Sequence, residues 1–316
     1  MYSVGHVRQR APSAAAAALT VDGLLGAHLD FSELARLARL NRSCLAGYQT
    51  FWPELFRARA LTLKRDGRSD AVRDFLEHAV ANDAAEHVRV VMGASSAFRP
   101  CARCMLLDDG ETLLHVAAQC NSAAAVDALL DAGRHAEMLL LSPDERGANC
   151  LSVAAAAGSE AAVRSLLRWC EHRPQLRKRL LLDTSATGAS SAHAAASAGH
   201  LAVLEVLLAA APELLRGVDD DGRSCLHAAA FAGHLAVLEV LLAAAPELLR
   251  EVDNDGRSCL HVAVYAGRVQ VVESLLGLGG ARLLATRCRK GQTPLDMSVA
   301  MGADRITALL RAQSLL

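Results

Sequence analysis

Between residues 235 and 244 the chain reads LAVLEVLLAA, with Leu235, Leu238, Leu241 and Leu242 at helical spacing and Val237 and Val240 on another face. Glu239 is the only charge before the stop at Ala245 and Pro246. A helix apolar on nearly every side has to be covered on more than one side. One copy in isolation would be insoluble; stacked between similar copies, each face meets a partner.

The chain supplies those copies. Residues 199–216 and 233–250 are the same 18 residues, GHLAVLEVLLAAAPELLR, 34 positions apart. Over the full 34-residue unit only five positions differ: Gly217/Glu251, Asp220/Asn254, Ala228/Val262, Ala230/Val264 and Phe231/Tyr265. Each unit reads as a turn, a short helix, a glycine, a longer helix and a loop. The turns DDDGR and DNDGR place Asp219 or Asp253 first and Gly222 or Gly256 fourth, the signature of a type I turn. Ser224 and Ser258 stand as N-caps of the first helix, and Gly233 and Gly267 allow the reversal into the second.

The first-helix segments are TLLHVA (112–117), NCLSVA (149–154), SSAHAA (190–195), SCLHAA (224–229), SCLHVA (258–263) and TPLDMS (293–298). They resemble the T-P-L-H-x-A motif of the ankyrin family. Spacings at the histidine position are 37, 41, 34, 34 and 35, so insertions fall between the early repeats. DFLEHAVANDAAEHVRVVM at 74–92 resembles a degenerate first repeat. The resemblance implies an all-α ankyrin solenoid over about 70–316. It also implies protein recognition on a concave face of turn tips and first-helix surfaces. Carried onto this chain, the partner-binding residues are Asp220, Asp221, Arg223, Phe231, Asn254, Asp255, Arg257 and Tyr265. For the two rings, packing between repeats is the competing expectation.

Composition narrows the picture. Apolar residues make up 52% and aromatic residues 3%, so alanine and leucine fill the core. The net charge of -1 gives no overall footprint for nucleic acid, although residues 1–68 carry ten Arg/Lys against five Asp/Glu. No stretch is long and apolar enough to suggest a membrane span. The N-terminal 21 residues have no acid before Asp22, as in a transit peptide, but are too weakly apolar for a secretory signal. Nine scattered cysteines suit a reducing compartment, cytoplasmic or nuclear. Cys225 and Cys259, one repeat apart, are expected as free thiols, because stacked helices lie ~8–10 Å apart and a disulfide needs Cα atoms within ~7 Å.

Catalytic chemistry finds little footing. No phosphate loop, nucleophile elbow or paired-carboxylate motif is present, so the chain is expected not to be an enzyme and to need no cofactor. DNDG fails as a calcium loop: with Gly256 sixth, Val262 falls twelfth, where a bidentate Glu is required. Cys101, Cys104, His115 and Cys120 have the types and spacing of a tetrahedral zinc site. Against zinc, His115 is the motif histidine, and incidental thiols in a loop are the expectation. The basic segment HRPQLRKR at 172–179 reads as a solvated, elongated loop.

Residues 19–60 do not repeat. Leu34, Leu37, Leu40 and Cys44 share a helical face opposite Arg36, Arg39 and Arg42, and FWPELF follows at 51–56. HLDFSELARLARLNRSCL and FWPELF resemble the central run and closing turn of the F-box family. That family docks onto the Skp-type adaptor of cullin ubiquitin ligases. Here Leu19-Thr20-Val21 replaces the family's opening Leu-Pro. The resemblance implies adaptor contacts at Leu29, Leu34, Leu37 and Trp52; a plain helical cap on the solenoid's end is the other reading.

The expected organisation is thus a tail (1–18), an F-box-like segment or cap (19–60), and a linker with a degenerate repeat (61–107). About six repeats follow (108–316), the last a C-terminal cap. The expected function is a non-enzymatic adaptor that binds a protein partner in the groove, as a substrate receptor for Skp-type adaptor and cullin. An ankyrin scaffold without a ligase connection is the alternative. No nucleic acid or membrane partner is expected, and the chain is expected as a monomer or one component of a larger complex.

Overall fold

The computed structural model describes residues 110–131 and 136–314, with Glu77, Val80, Ala81 and Val88 before them. The F-box-like segment, with Leu29, Leu34, Leu37 and Trp52, lies outside the described residues, as do Cys101 and Cys104.

Helices follow in pairs, α1 (Leu113–Gln119) with α2 (Ala123–Asp131), trailed by a short α3 (Ala136–Leu141). Next come α4 (Cys150–Ala157) with α5 (Glu160–Trp169), trailed by α6 (Pro174–Leu182). The pair α7 (Ser191–Ala198) and α8 (Leu201–Ala210) ends in a 3-10 turn at Pro212–Arg216. Its near-copy, α9 (Cys225–Ala232) and α10 (Leu235–Ala244), ends in one at Pro246–Arg250. Last stand α11 (Cys259–Tyr265) with α12 (Val269–Ala285), kinked at Gly279, and α13 (Pro294–Ala300) with α14 (Asp304–Ser314).

First helices stack in one row, α1, α4, α7, α9, α11 and α13, and second helices in another. Between the rows runs a single core that includes Val80 and Val88. Leu114, Leu151, Leu226 and Leu260 occupy one register position and are fully buried. Each such leucine contributes roughly 1.5–3 kcal/mol by leaving water. Fully buried alanines at Ala117, Ala154, Ala195, Ala229 and Ala263 let neighbouring first helices approach closely. In α10, Leu238 and Leu241 are buried while Glu239 faces water, so the nearly all-round apolar pattern is used on several sides. This is the all-α solenoid implied by the repeats.

Two local expectations need correction. The stretch Pro212–Arg216 is a 3-10 turn rather than plain loop, because Leu214 is buried beneath it. The basic segment at 172–179 is not an elongated loop, since most of it belongs to α6. Pro174 starts that helix with its fixed φ, and Leu180 and Leu181 bury one side of it. Arg173 lies 3.9 Å above the Trp169 ring, covering apolar surface with its cation.

Candidate functional site

The turn tips headed by an aspartate are built the same way. Asp219 Oδ1 accepts the Arg223 N–H (2.8 Å), and Gly222 N–H donates to the Asp219 carbonyl (2.9 Å), closing the predicted turn. Asp253 repeats both bonds with Arg257 and Gly256. The tips are then chained together through the backbone. Asp220 N–H reaches the Thr187 carbonyl (3.0 Å), Asn254 N–H the Asp221 carbonyl (2.8 Å) and Arg289 N–H the Asp255 carbonyl (2.7 Å).

The motif histidines tie each first helix to the next tip. At His227 the Ser224 N–H donates to Nδ1 (3.3 Å), which puts the ring proton on Nε2. From there it goes to the Arg257 carbonyl, 3.2 Å away. His115, His193 and His261 do the same toward Ala148, Arg223 and Gln292. Where the second motif has Ser152 instead, Asn149 takes over and donates to the Leu180 carbonyl at 3.0 Å. Burial pushes all four histidines below the ordinary imidazole range, offset in part by the carbonyl bond. Both nitrogens of His115 are occupied, by Thr112 and Ala148, so it is not available as the zinc ligand considered above. Cys120 is exposed, and among the described residues no cluster of three ligating side chains forms.

A second set of ties went unread in the sequence. His200 Nε2 lies 3.1 Å from the Ala156 carbonyl, His234 Nε2 3.1 Å from that of Ser197, and Arg268 Nε donates to that of Phe231 (2.9 Å). The signal was a histidine directly after the glycine in both copies of the 18-residue stretch.

These ties fix an inner face of turn tips and first-helix surfaces. One register position on it faces water in each of the six described repeats, held by Gln119, Ala156, Ser197, Phe231, Tyr265 and Ala300. The fold accepts small or polar residues there, yet Phe231 is 52% and Tyr265 57% exposed. The rings therefore do not pack between repeats.

Most of the tip residues hold one another while staying exposed. Arg223 pairs with Asp221 (3.0 Å), and Arg257 with Asp253 (2.8 Å) and Asp255 (2.9 Å). Asn254 donates its amide to the Asp220 carbonyl at 2.8 Å, so its side chain serves the tip ladder. Asp220, Asp221, Asn254 and Asp255 are all exposed.

Among the described residues, two clefts on this face stand out. One of about 480 Å³ lies over α4 and α7, floored by Ala156 and Ala194 and rimmed by Glu111, Asp144 and Glu145. The other, about 240 Å³, lies between Tyr265 and Met301, beneath Arg289 and Lys290.

A model of ankyrin repeats in three copies matches residues 76–178 and 151–250, and one of a single ankyrin repeat matches 255–287. The first match begins inside the segment resembling a degenerate repeat; neither reaches residues 19–60. No curated protein matches the chain. Among the described residues no helix is long and apolar enough to cross a membrane. Ankyrin repeats support a role in protein–protein interaction. With the motif, the paired rows of helices and these matches in agreement, the chain belongs to the ankyrin-repeat family.

Proposed function

We propose that this chain is an adaptor that holds a protein partner on the inner face of its repeats. The observation that carries this is the exposure of Phe231 and Tyr265 at a position where the fold requires no large side chain. An exposed aromatic loses free energy by staying in water, and aromatics dominate binding hot spots. The exposed Asp220, the ion pairs Arg223–Asp221 and Arg257–Asp255, and the backbone-bound Asn254 form a polar rim around the rings.

We further propose that residues 19–60 link the repeats to a Skp-type adaptor and cullin through Leu29, Leu34, Leu37 and Trp52. The chain would then be a substrate receptor of a ubiquitin ligase. A scaffold without that link shares the inner face and differs only at the N-terminal segment. Affinity purification separates the two. A chain lacking residues 1–60 keeps its inner-face partner and loses adaptor and cullin under the receptor reading. A full-length chain that recovers neither adaptor nor cullin contradicts it.

A further inference from the structure

The two ends of the inner face differ in charge and in relief. At the N-terminal cleft Glu111, Asp144 and Glu145 form the rim, with only Arg146 against them in its lining. At the C-terminal cleft Arg257 is neutralised by Asp253 and Asp255. Arg289 and Lys290 are exposed on the same cleft and have no acidic partner within 4.0 Å among the described residues. With Arg257 held by its two aspartates, Arg289 and Lys290 are the cations this cleft offers to a ligand, although the whole chain is nearly neutral.

Relief follows the same division. Ala156 and Ser197 leave the first half open, whereas Phe231 and Tyr265 stand up from the second. Beyond Tyr265 the cleft is walled by Met297 and Met301, the latter 47% exposed. Methionine is unbranched and adapts to whatever side chain enters. Phe231 and Tyr265 hold equivalent positions in adjacent repeats, and stacked helices lie ~8–10 Å apart. A chain extended as polyproline II advances about 3.1 Å per residue with three residues per turn, so side chains three residues apart share one face and span that gap.

We propose that the C-terminal half of the inner face takes an extended, acidic segment of a partner protein. Two apolar side chains three residues apart rest against Phe231 and Tyr265. Carboxylates beside them reach Arg289 and Lys290, while the acidic rim at the other end excludes the reverse polarity. This rests on the inner-face reading above and adds the chemistry of the occupant.

The test uses the full-length chain and a fluorescent peptide with two leucines three residues apart followed by glutamates. A second peptide carries lysines in place of the glutamates. Saturable anisotropy for the acidic peptide is expected, weakened about tenfold or more by Phe231→Ala or Tyr265→Ala. Arg289→Glu with Lys290→Glu should weaken it similarly, and added salt should weaken it progressively. Failure of the acidic peptide to bind wild-type protein, or equal binding of the lysine peptide, overturns the proposal without any variant having to fold. If the peptide fails while partner capture still depends on Phe231 and Tyr265, only the occupant's chemistry is wrong. Capture that ignores both rings overturns the inner-face reading and this proposal together.

Discussion

The imidazole of His234 stands where a side chain on Gly199 would have to go: a Cβ added there lies 2.5 Å from Nδ1. Gly199 is also left-handed, at φ 81°. Gly158 faces His200 in the same way one repeat earlier, again at 2.5 Å. The glycine of one repeat and the histidine of the next therefore form a matched pair. Gly199→Ala should destabilise the array by ~1–2 kcal/mol from the backbone alone, and by more through the clash. Adding His234→Ala should return part of that loss in urea unfolding. Strictly additive losses would show that the two residues do not share this space.

Stability should fall as the medium is acidified below neutrality. His115, His193, His227 and His261 are buried and neutral, with pKa values below the ordinary range. Unfolded, each takes a proton near pH 6.5; folded, each does so only at lower pH. The unfolded chain thus binds more protons in that window. Their contribution is complete above about pH 6.5 and is lost as pH falls, by at most about 1.4 kcal/mol per pH unit for each histidine. Urea midpoints should be lower at pH 5 than at pH 7.5, and His227→Gln should flatten the difference. A midpoint that rises on acidification contradicts the buried neutral tautomers.

Much of this was legible in the sequence where a period exists. The all-round apolar pattern of 235–244 needs stacking, and its copy 34 residues earlier supplies it. The motif register put Phe231 and Tyr265 at equivalent places on the first helix, but left open whether they face water or pack between repeats, which the exposures of 52% and 57% decide. By contrast α6 was hidden because Arg177, Lys178 and Arg179 interrupt its leucines just after the Arg173 cap, while Leu180 and Leu181 acquire a buried side only from neighbours. The carbonyl that His227 holds belongs to Arg257, 30 residues along, and no local pattern names it. The clefts arise from the summed relief of several repeats, so no single segment announces them.

Thiol chemistry should sort the cysteines by burial. Cys225 and Cys259 are free and buried, and burial pushes both thiols up to about 12. Cys120 is exposed. In native protein an alkylating reagent should label Cys120 quickly and Cys225 and Cys259 only after denaturation, read by peptide mass spectrometry. Fast native labelling of Cys225 would contradict its place in the core, and a crosslink between Cys225 and Cys259 would contradict the repeat register.

Core and face should respond oppositely to truncation. Leu238 is fully buried, so Leu238→Ala should cost ~2–5 kcal/mol. Phe231→Ala and Tyr265→Ala remove half-exposed rings and should stay within about 0.5 kcal/mol or slightly above it. Comparable losses at all three positions in urea unfolding would place the rings in the core.

The central claim is that partners are held on the inner face, and photo-crosslinking tests it most directly. A photoreactive phenylalanine analogue is placed at Phe231 on the inner face in one sample, and at Glu239 on the exposed side of α10 in another. Each full-length protein is irradiated in lysate, and the adducts are identified by mass spectrometry. The account predicts discrete adducts from position 231, suppressed by Tyr265→Ala, and none of the same proteins from position 239. Partners crosslinked from 239 and absent from 231 would contradict it.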